Sequence, residues 1–186
     1  LESAALRTER VLATTSSRVF AAFAHADHLA KWWGPSGFTN TFETFEFKPD
    51  GRWVFVMHGP DGADYPNESV FREIEPDTRI VIEHVKGHWF RLTVTLSPRG
   101  DQTHLTWVQE FASPAVAAKL RDIVVPANEQ NLDRLEALLA GRPPRRGIED
   151  AVRCVVARGF GRGLVSGDLV GVGVRSMLWV HRVHVG

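Results

Sequence analysis

Cysteine is all but missing from the 186 residues: Cys154 stands alone. One thiol excludes an internal disulfide framework and fits a reducing compartment. Missing as well is any apolar run long enough to span a membrane, and no signal peptide is legible, so the expectation is a soluble, cytoplasmic protein that does not enter the bilayer. Net charge is zero, with 22 Lys+Arg against 22 Asp+Glu, but it is unevenly spread. Residues 1–141 hold 14 basic and 19 acidic side chains, whereas 142–186 hold 8 arginines and 3 acids. The longer stretch therefore carries no basic footprint for nucleic acid. No Ser-His-Asp order, nucleophile elbow or phosphate loop occurs. Six histidines precede residue 142, namely His25, His28, His58, His84, His88 and His104. None pairs with cysteine at metal-finger spacing, and His84 and His88 fall in a strand-turn-strand, so neither a metal nor a cofactor is expected.

What is abundant is large aromatic surface. Trp32-Trp33-Gly34-Pro35 must end a helix, because proline lacks a donor and pushes its predecessor toward extended geometry. Beyond it Phe42, Phe45 and Phe47, then Trp53, Phe55 and Met57 across the Pro49-Asp50-Gly51 turn, predict two aromatic-rich strands. Such a density of rings either fills a core or lines a cavity.

In chain order, residues 6–13 predict a first strand. Thr14 to Ser17 offer N-cap hydroxyls to a helix carrying Val19, Phe20, Phe23 and Ala24, and a second short helix follows from Asp27 to Trp32. Strands are expected near 38–47, 52–58, 65–75, 79–85, 89–97 and 103–111, separated by turn-forming residues, which together make an antiparallel meander. One face is apolar, through Phe90, Leu92, Val94 and Leu96 and through Leu105, Trp107 and Phe111, while the other parity is wet. Ser113 and Pro114 open a long helix that Gly141 closes. Leu120, Val124, Ala127, Asn131, Leu135 and Leu138 form its apolar stripe, and Pro126 should kink or split it.

A strand, two short helices, six strands and a long helix make an α+β helix-grip fold, a curved antiparallel sheet wrapped around the C-terminal helix. Val19-Phe20-Ala21-Ala22-Phe23, Leu29-Ala30-Lys31-Trp32-Trp33-Gly34-Pro35, Gly51-Arg52-Trp53-Val54-Phe55-Val56-Met57, Asp61-Gly62 and Phe71-Arg72-Glu73-Ile74-Glu75-Pro76 carry a resemblance. The stretch from about 5 to 141 resembles the START and birch-pollen-allergen superfamily, in the branch of homologues of the activator of the 90-kDa heat-shock-protein ATPase. Asp50 departs from it, standing where members often have a glycine. The resemblance implies a cavity between sheet and long helix that takes small apolar molecules, and in some members a cyclase, dehydratase or hydrolase activity.

The candidate ligand-binding set is Trp32, Trp33, Trp53, Phe55, Met57, Tyr65, Phe71, Trp107, Gln109 and Asn131, with Trp89 as a further aromatic. Core packing explains most of these rings as readily as a pocket does. The polar exceptions are more telling. Gln109 shares parity with Leu105 and Trp107, and Asn131 lies on the apolar stripe, and a buried amide needs a partner. That partner is a ligand atom, a water or a backbone group. His58 and Glu83 are the candidates for acid–base catalysis, with a solvated strand position as the plain alternative. Three functional readings stay open: a binder of a small apolar or amphipathic molecule, tied to stress or metabolism; an enzyme using His58 or Glu83; and a chaperone co-factor. A homodimer is compatible with each.

Residues 1–141 are thus expected to form one domain. The remainder, 142–186, starts as a basic proline-rich linker at Arg142-Pro143-Pro144-Arg145-Arg146 and continues rich in Val, Gly and Arg. Its glycines lack the spacing of a dinucleotide loop. It reads either as an added strand pair or as non-native translation.

Overall fold

The computed structural model describes residues 4–142. The tail beyond, with its expected strand pair, lies outside the described residues. Seven strands form one antiparallel sheet: β1 (Ala5–Leu12), β2 (Thr39–Phe45), β3 (Gly51–His58), β4 (Asp64–Glu75), β5 (Arg79–His84), β6 (Phe90–Arg99) and β7 (Gln102–Phe111). Helices α1 (Ser16–Ala24) and α2 (Ala26–Trp32) lie between β1 and β2, and α3 (Pro114–Leu139) follows β7. The strand order is β1-β7-β6-β5-β4-β3-β2, so β2 to β7 are a continuous meander and β1 closes it beside β7. The sheet curves around α3, giving the α+β helix-grip architecture.

Curvature has a local cause. The β2–β3 register shifts between Phe42 and Thr44, and the β4–β5 register between Phe71 and Glu73. Each irregularity adds twist and resets which side chains face inward. Phe42 pairs with Phe55 and Phe45 with Trp53, and both phenylalanines pack against the core despite their odd spacing. Between these strands the chain turns through Asp50, whose φ of 56° is a left-handed conformation usually left to glycine. Asp50 is held there by its N–H to the Phe71 carbonyl at 2.7 Å and by Arg72, whose Nη1 lies 3.1 Å from the Asp50 carboxylate. The departure from the glycine pattern is thereby accommodated.

The main core comprises Val19 and Phe23 of α1, Leu29 and Trp32 of α2, the inward faces of the strands, and Leu132 and Leu135 of α3. Trp53 is fully buried at its centre, stacked on Phe55 with ring centroids 4.3 Å apart. Trp32 is edge-on to Phe23 and donates its indole N–H to the Ala22 carbonyl at 3.0 Å.

Two expectations about helices are corrected. Thr15 occupies the N-cap of α1 but makes no capping bond; its hydroxyl meets Ser17, and Ser16 turns inward to Thr103. Of the two outcomes expected at Pro126, the split does not occur: α3 is one continuous helix. Pro126 is exposed, so the Asp122 carbonyl, deprived of its usual donor, can be hydrated rather than stranded. Both ends of α3 are closed as read from sequence. The Ser113 hydroxyl accepts from the Val116 N–H at 3.3 Å. Gly141, at φ 64°, and Arg142 donate to the Leu138 and Ala137 carbonyls at 3.0 and 2.9 Å, the paired bonds of a Schellman stop.

Candidate functional site

Between the sheet and the N-terminal half of α3 lies a cavity of about 180 Å³. The core behind it is dense because Leu132 and Leu135 meet the sheet directly, whereas Leu120, Val124 and Ala127, nearer the helix start, stand on the cavity side. The sheet wall comes from Phe55 and Met57 on β3, Tyr65, Asn67 and Ser69 on β4, Ile82 and His84 on β5, Phe90 and Leu92 on β6, and Trp107, Gln109 and Phe111 on β7. Trp33, Gly34, Pro35 and Phe38 close the side toward β2, and His88, on the β5–β6 turn, also lines the space.

Three residues of α3 hold that closing segment in place. The Gly34 N–H donates to Asn131 Oδ1 at 2.6 Å, and the Ser36 N–H to Gln130 Oε1 at 3.0 Å. Arg134 does the larger share. Its guanidinium donates to the carbonyls of Lys31 (2.9 Å), Trp33 (3.4 Å), Gly34 (2.7 Å) and Pro35 (2.9 Å). The last carbonyls of α2 have no intrahelical donors, and a cation at that end also complements the helix dipole. Burial lowers the Arg134 pKa from its usual value, although a guanidinium stays protonated at any ordinary pH. Gly34 itself has φ 98°, and a Cβ there would lie 2.7 Å from Met57 Cε, so the tight turn needs glycine.

The polar groups in the wall fall in two places. Ser69 and His84 are cross-strand partners on β4 and β5, with Ser69 Oγ 3.4 Å from His84 Nδ1, and the imidazole is stacked on Phe90 at 4.8 Å. Opposite them Asn128 Nδ2 donates to Gln109 Oε1 at 3.3 Å, joining α3 to β7. Tyr65 lines the cavity, with its hydroxyl 3.5 Å from Asp61; desolvation, and then the Asp61 carboxylate, raise its pKa, which keeps it protonated. Trp107 is buried with no hydrogen-bond partner for its indole nitrogen among the described residues.

Seven of the expected binding residues thus line one space: Trp33, Phe55, Met57, Tyr65, Trp107, Gln109 and Asn131. Trp32, Trp53 and Phe71 do not; they belong to the packed core behind it, because their inward strand or helix positions lie where α1 and α2 cover the sheet. Trp89 is corrected too. It sits exposed on the outer face, donating its indole N–H to Glu83 at 2.9 Å beneath the Arg91 guanidinium.

Neither candidate catalyst faces the cavity. Glu83 points outward between Arg72 and Arg91, and the Trp89 N–H together with Arg72 holds its pKa below the usual carboxylate range. Its neighbours favour the carboxylate form. His58 takes part in a chain on the outer face, Nε2 to Thr41 Oγ1 at 2.8 Å and Nδ1 to Asp64 Oδ1 at 2.6 Å, and does not line this cavity. The ionisable groups that sequence reasoning passed over are His84 and His88. His84 ends a strand whose inward positions Ile80 and Ile82 are apolar, and that same parity was the signal that could have found it. Asn67, Ser69 and Asn128 were missed for a similar reason, since short polar residues on strands and helices usually mark the wet face. Among the described residues no group of acidic, histidine or cysteine side chains is placed to hold a metal.

Comparison with known proteins follows this geometry. Residues 13–140 match the family model described as Activator of Hsp90 ATPase homolog 1-like protein. No curated protein matches the chain. Among solved structures, a protein from Arthrobacter aurescens is similar at 24% identity and a TM-score of 0.71, over 80% of this chain and 91% of that one. One from Chromobacterium violaceum is 26% identical at a TM-score of 0.64, over 72% and 96%. A third, an AHSA1 protein from Silicibacter pomeroyi, is 21% identical at a TM-score of 0.60, over 73% and 97%. With the family model spanning more than half of its length, this chain belongs to the family of Activator of Hsp90 ATPase homolog 1-like proteins.

Proposed function

We propose that the chain binds a small, mostly apolar molecule in the space between the sheet and the first half of α3. The observation that carries this reading is a single wall in which aromatic and aliphatic side chains are broken by a few amide, hydroxyl and imidazole groups, most of them buried. Ligand sites have that make-up: a large apolar area with few polar points that fix orientation. Five buried polar side chains, Ser69, His84, Gln109, Asn128 and Asn131, supply the few polar points of this wall. Native mass spectrometry of the purified chain tests the proposal, with a co-purifying small molecule, lost in a variant whose cavity is filled, as the expected result. A chain that carries nothing, and whose melting is unmoved by a broad panel of apolar compounds, would sink it.

A second reading has one specific observation in its favour. His84, an ionisable group, lines the cavity and is 5% exposed, so an acid–base enzyme would rest on it and not on His58 or Glu83. Turnover of any bound compound that disappears in His84→Phe while binding persists would support it.

A further inference from the structure

The corner of the cavity where α3 meets β7 narrows what a guest must carry, an inference that rests on the binding reading above. On the opposite wall His84 is engaged by Ser69 and stacked on Phe90, so its polar atoms make no demand that a guest has to meet. Charge gives no constraint either. His84 and His88 both line the space, and an imidazolium there could balance an anion. The demand comes instead from Gln109 of β7 and Asn128 of α3, which are 8% and 4% exposed and both line the cavity.

Their mutual bond runs from Asn128 Nδ2 to Gln109 Oε1 at 3.3 Å, and neither side chain makes another among the described residues. Two carboxamides joined once keep one NH2 and one carbonyl oxygen unspent, here Gln109 Nε2 and Asn128 Oδ1. Turning both amides over reverses the bond and exchanges these roles, yet the pair still offers one donor beside one acceptor. Asn131, three residues further along α3, is different: its Oδ1 accepts from the Gly34 N–H and is tied to the closing segment. A guest that displaces water from the Gln109–Asn128 corner must replace it on both atoms, since leaving either one buried and unpaired costs its full desolvation. The group that supplies an acceptor and a donor side by side is a carboxamide, whether a primary amide, a lactam or an imide. Trp107 and Phe111 flank Gln109 on the inward face of β7 and suit a flat ring attached to that group. A dry cavity of about 150 Å³ accepts benzene, so about 180 Å³ accommodates one substituted ring.

We infer that the cavity takes an aromatic carboxamide, with its amide paired to Gln109 and Asn128. The test is calorimetric titration of the full chain with three probes of one shape: benzamide; acetophenone, in which a methyl replaces the NH2; and benzoate, which only accepts and is charged. Benzamide should bind about tenfold more tightly than acetophenone, the weight of about one net hydrogen bond. It should also bind more tightly than benzoate. In Gln109→Met, and separately in Asn128→Leu, the benzamide preference should fall while acetophenone binding persists. That persistence also reports that the variant is folded. Equal binding of benzamide and acetophenone to the unaltered chain, tighter binding of benzoate, or a benzamide preference untouched by both substitutions would overturn the inference and leave the binding reading standing. Failure of all three probes to bind would overturn it as well, and the co-purification experiment above then decides whether the binding reading falls with it.

Discussion

Removing the Arg134 guanidinium should unseat the segment that closes the cavity. Arg134→Met keeps the aliphatic stem against its neighbours but deletes the donors to the Lys31, Gly34 and Pro35 carbonyls, at 2.9, 2.7 and 2.9 Å, and the longer contact to Trp33. A hydrogen bond from a charged donor contributes about 1.5–3 kcal/mol net. The Lys31 carbonyl lies in an exposed contact and can be rehydrated, while those of Gly34 and Pro35 are part-buried, so about two such bonds are lost outright. Against this, methionine avoids the desolvation that a buried guanidinium suffers. The expected balance is a loss of about 2–3 kcal/mol. For a domain of this size that is a fall in melting temperature of roughly 6–10 °C. Urea unfolding followed by tryptophan fluorescence gives the value, provided the slope with denaturant is unchanged. Arg134→Lys should restore less than half, because an ammonium is a point donor that cannot fork across several carbonyls. A loss below about 0.5 kcal/mol for Arg134→Met, or full rescue by lysine, would refute the view that this side chain clamps the Trp33–Pro35 segment.

Other outcomes follow from the same geometry. Val124→Trp, on the cavity side of α3, should fill the space and abolish carriage of a co-purifying small molecule while shifting the melting temperature by no more than about 3 °C, as measured by native mass spectrometry and thermal unfolding. Gly51→Ala should cost more than about 3 kcal/mol, because a Cβ at Gly51 would lie 2.0 Å from the Glu46 carbonyl oxygen; a variant with an unchanged urea midpoint would contradict it. The Glu83 pKa is depressed in the folded state by the Trp89 N–H and Arg72, so its stabilising contribution is fully present above the unfolded carboxyl value of about 4.3 and is lost as pH falls through the folded value. Glu83→Gln should therefore lower the urea midpoint at neutral pH, with the gap to the unaltered chain closing in acid; a gap that widens below about pH 4 would show the sign to be wrong.

How much of this was legible in the chain depends on the range of the interaction concerned. Turn residues, strand parity, the Ser113 cap and the Gly141 stop act over a few neighbours, and their places could be read directly. Pro126 does not split α3, because whether a proline breaks a helix depends on whether the abandoned carbonyl meets water, and burial is not a local property. Thr15 misled because its hydroxyl had a nearer partner in Ser17. Phe42 and Phe45 could both face inward only because a bulge separates them, and nothing in their spacing announced it. Among the site residues, Gln109 and Asn131 stood out as amides on apolar faces, and both line the cavity. Their partners, Asn128 and the Gly34 N–H, come from elements 19 and 97 residues away.

The sequence by itself determined the element order, the apolar and wet faces of the strands, and the break after the paired tryptophans, since each follows from side-chain period and backbone chemistry over short distances. Only the tertiary structure decided which inward-facing rings are core and which are wall. Trp32, Trp53 and Phe71 share their character with Trp33, Phe55 and Trp107, and they differ only in what is packed over them. Likewise the outward aim of His58 and Glu83 and the inward aim of His84 were fixed when the curved sheet met α3. Burial belongs to the assembled surfaces and not to any one residue, so the chemistry of the cavity came into being only at that contact.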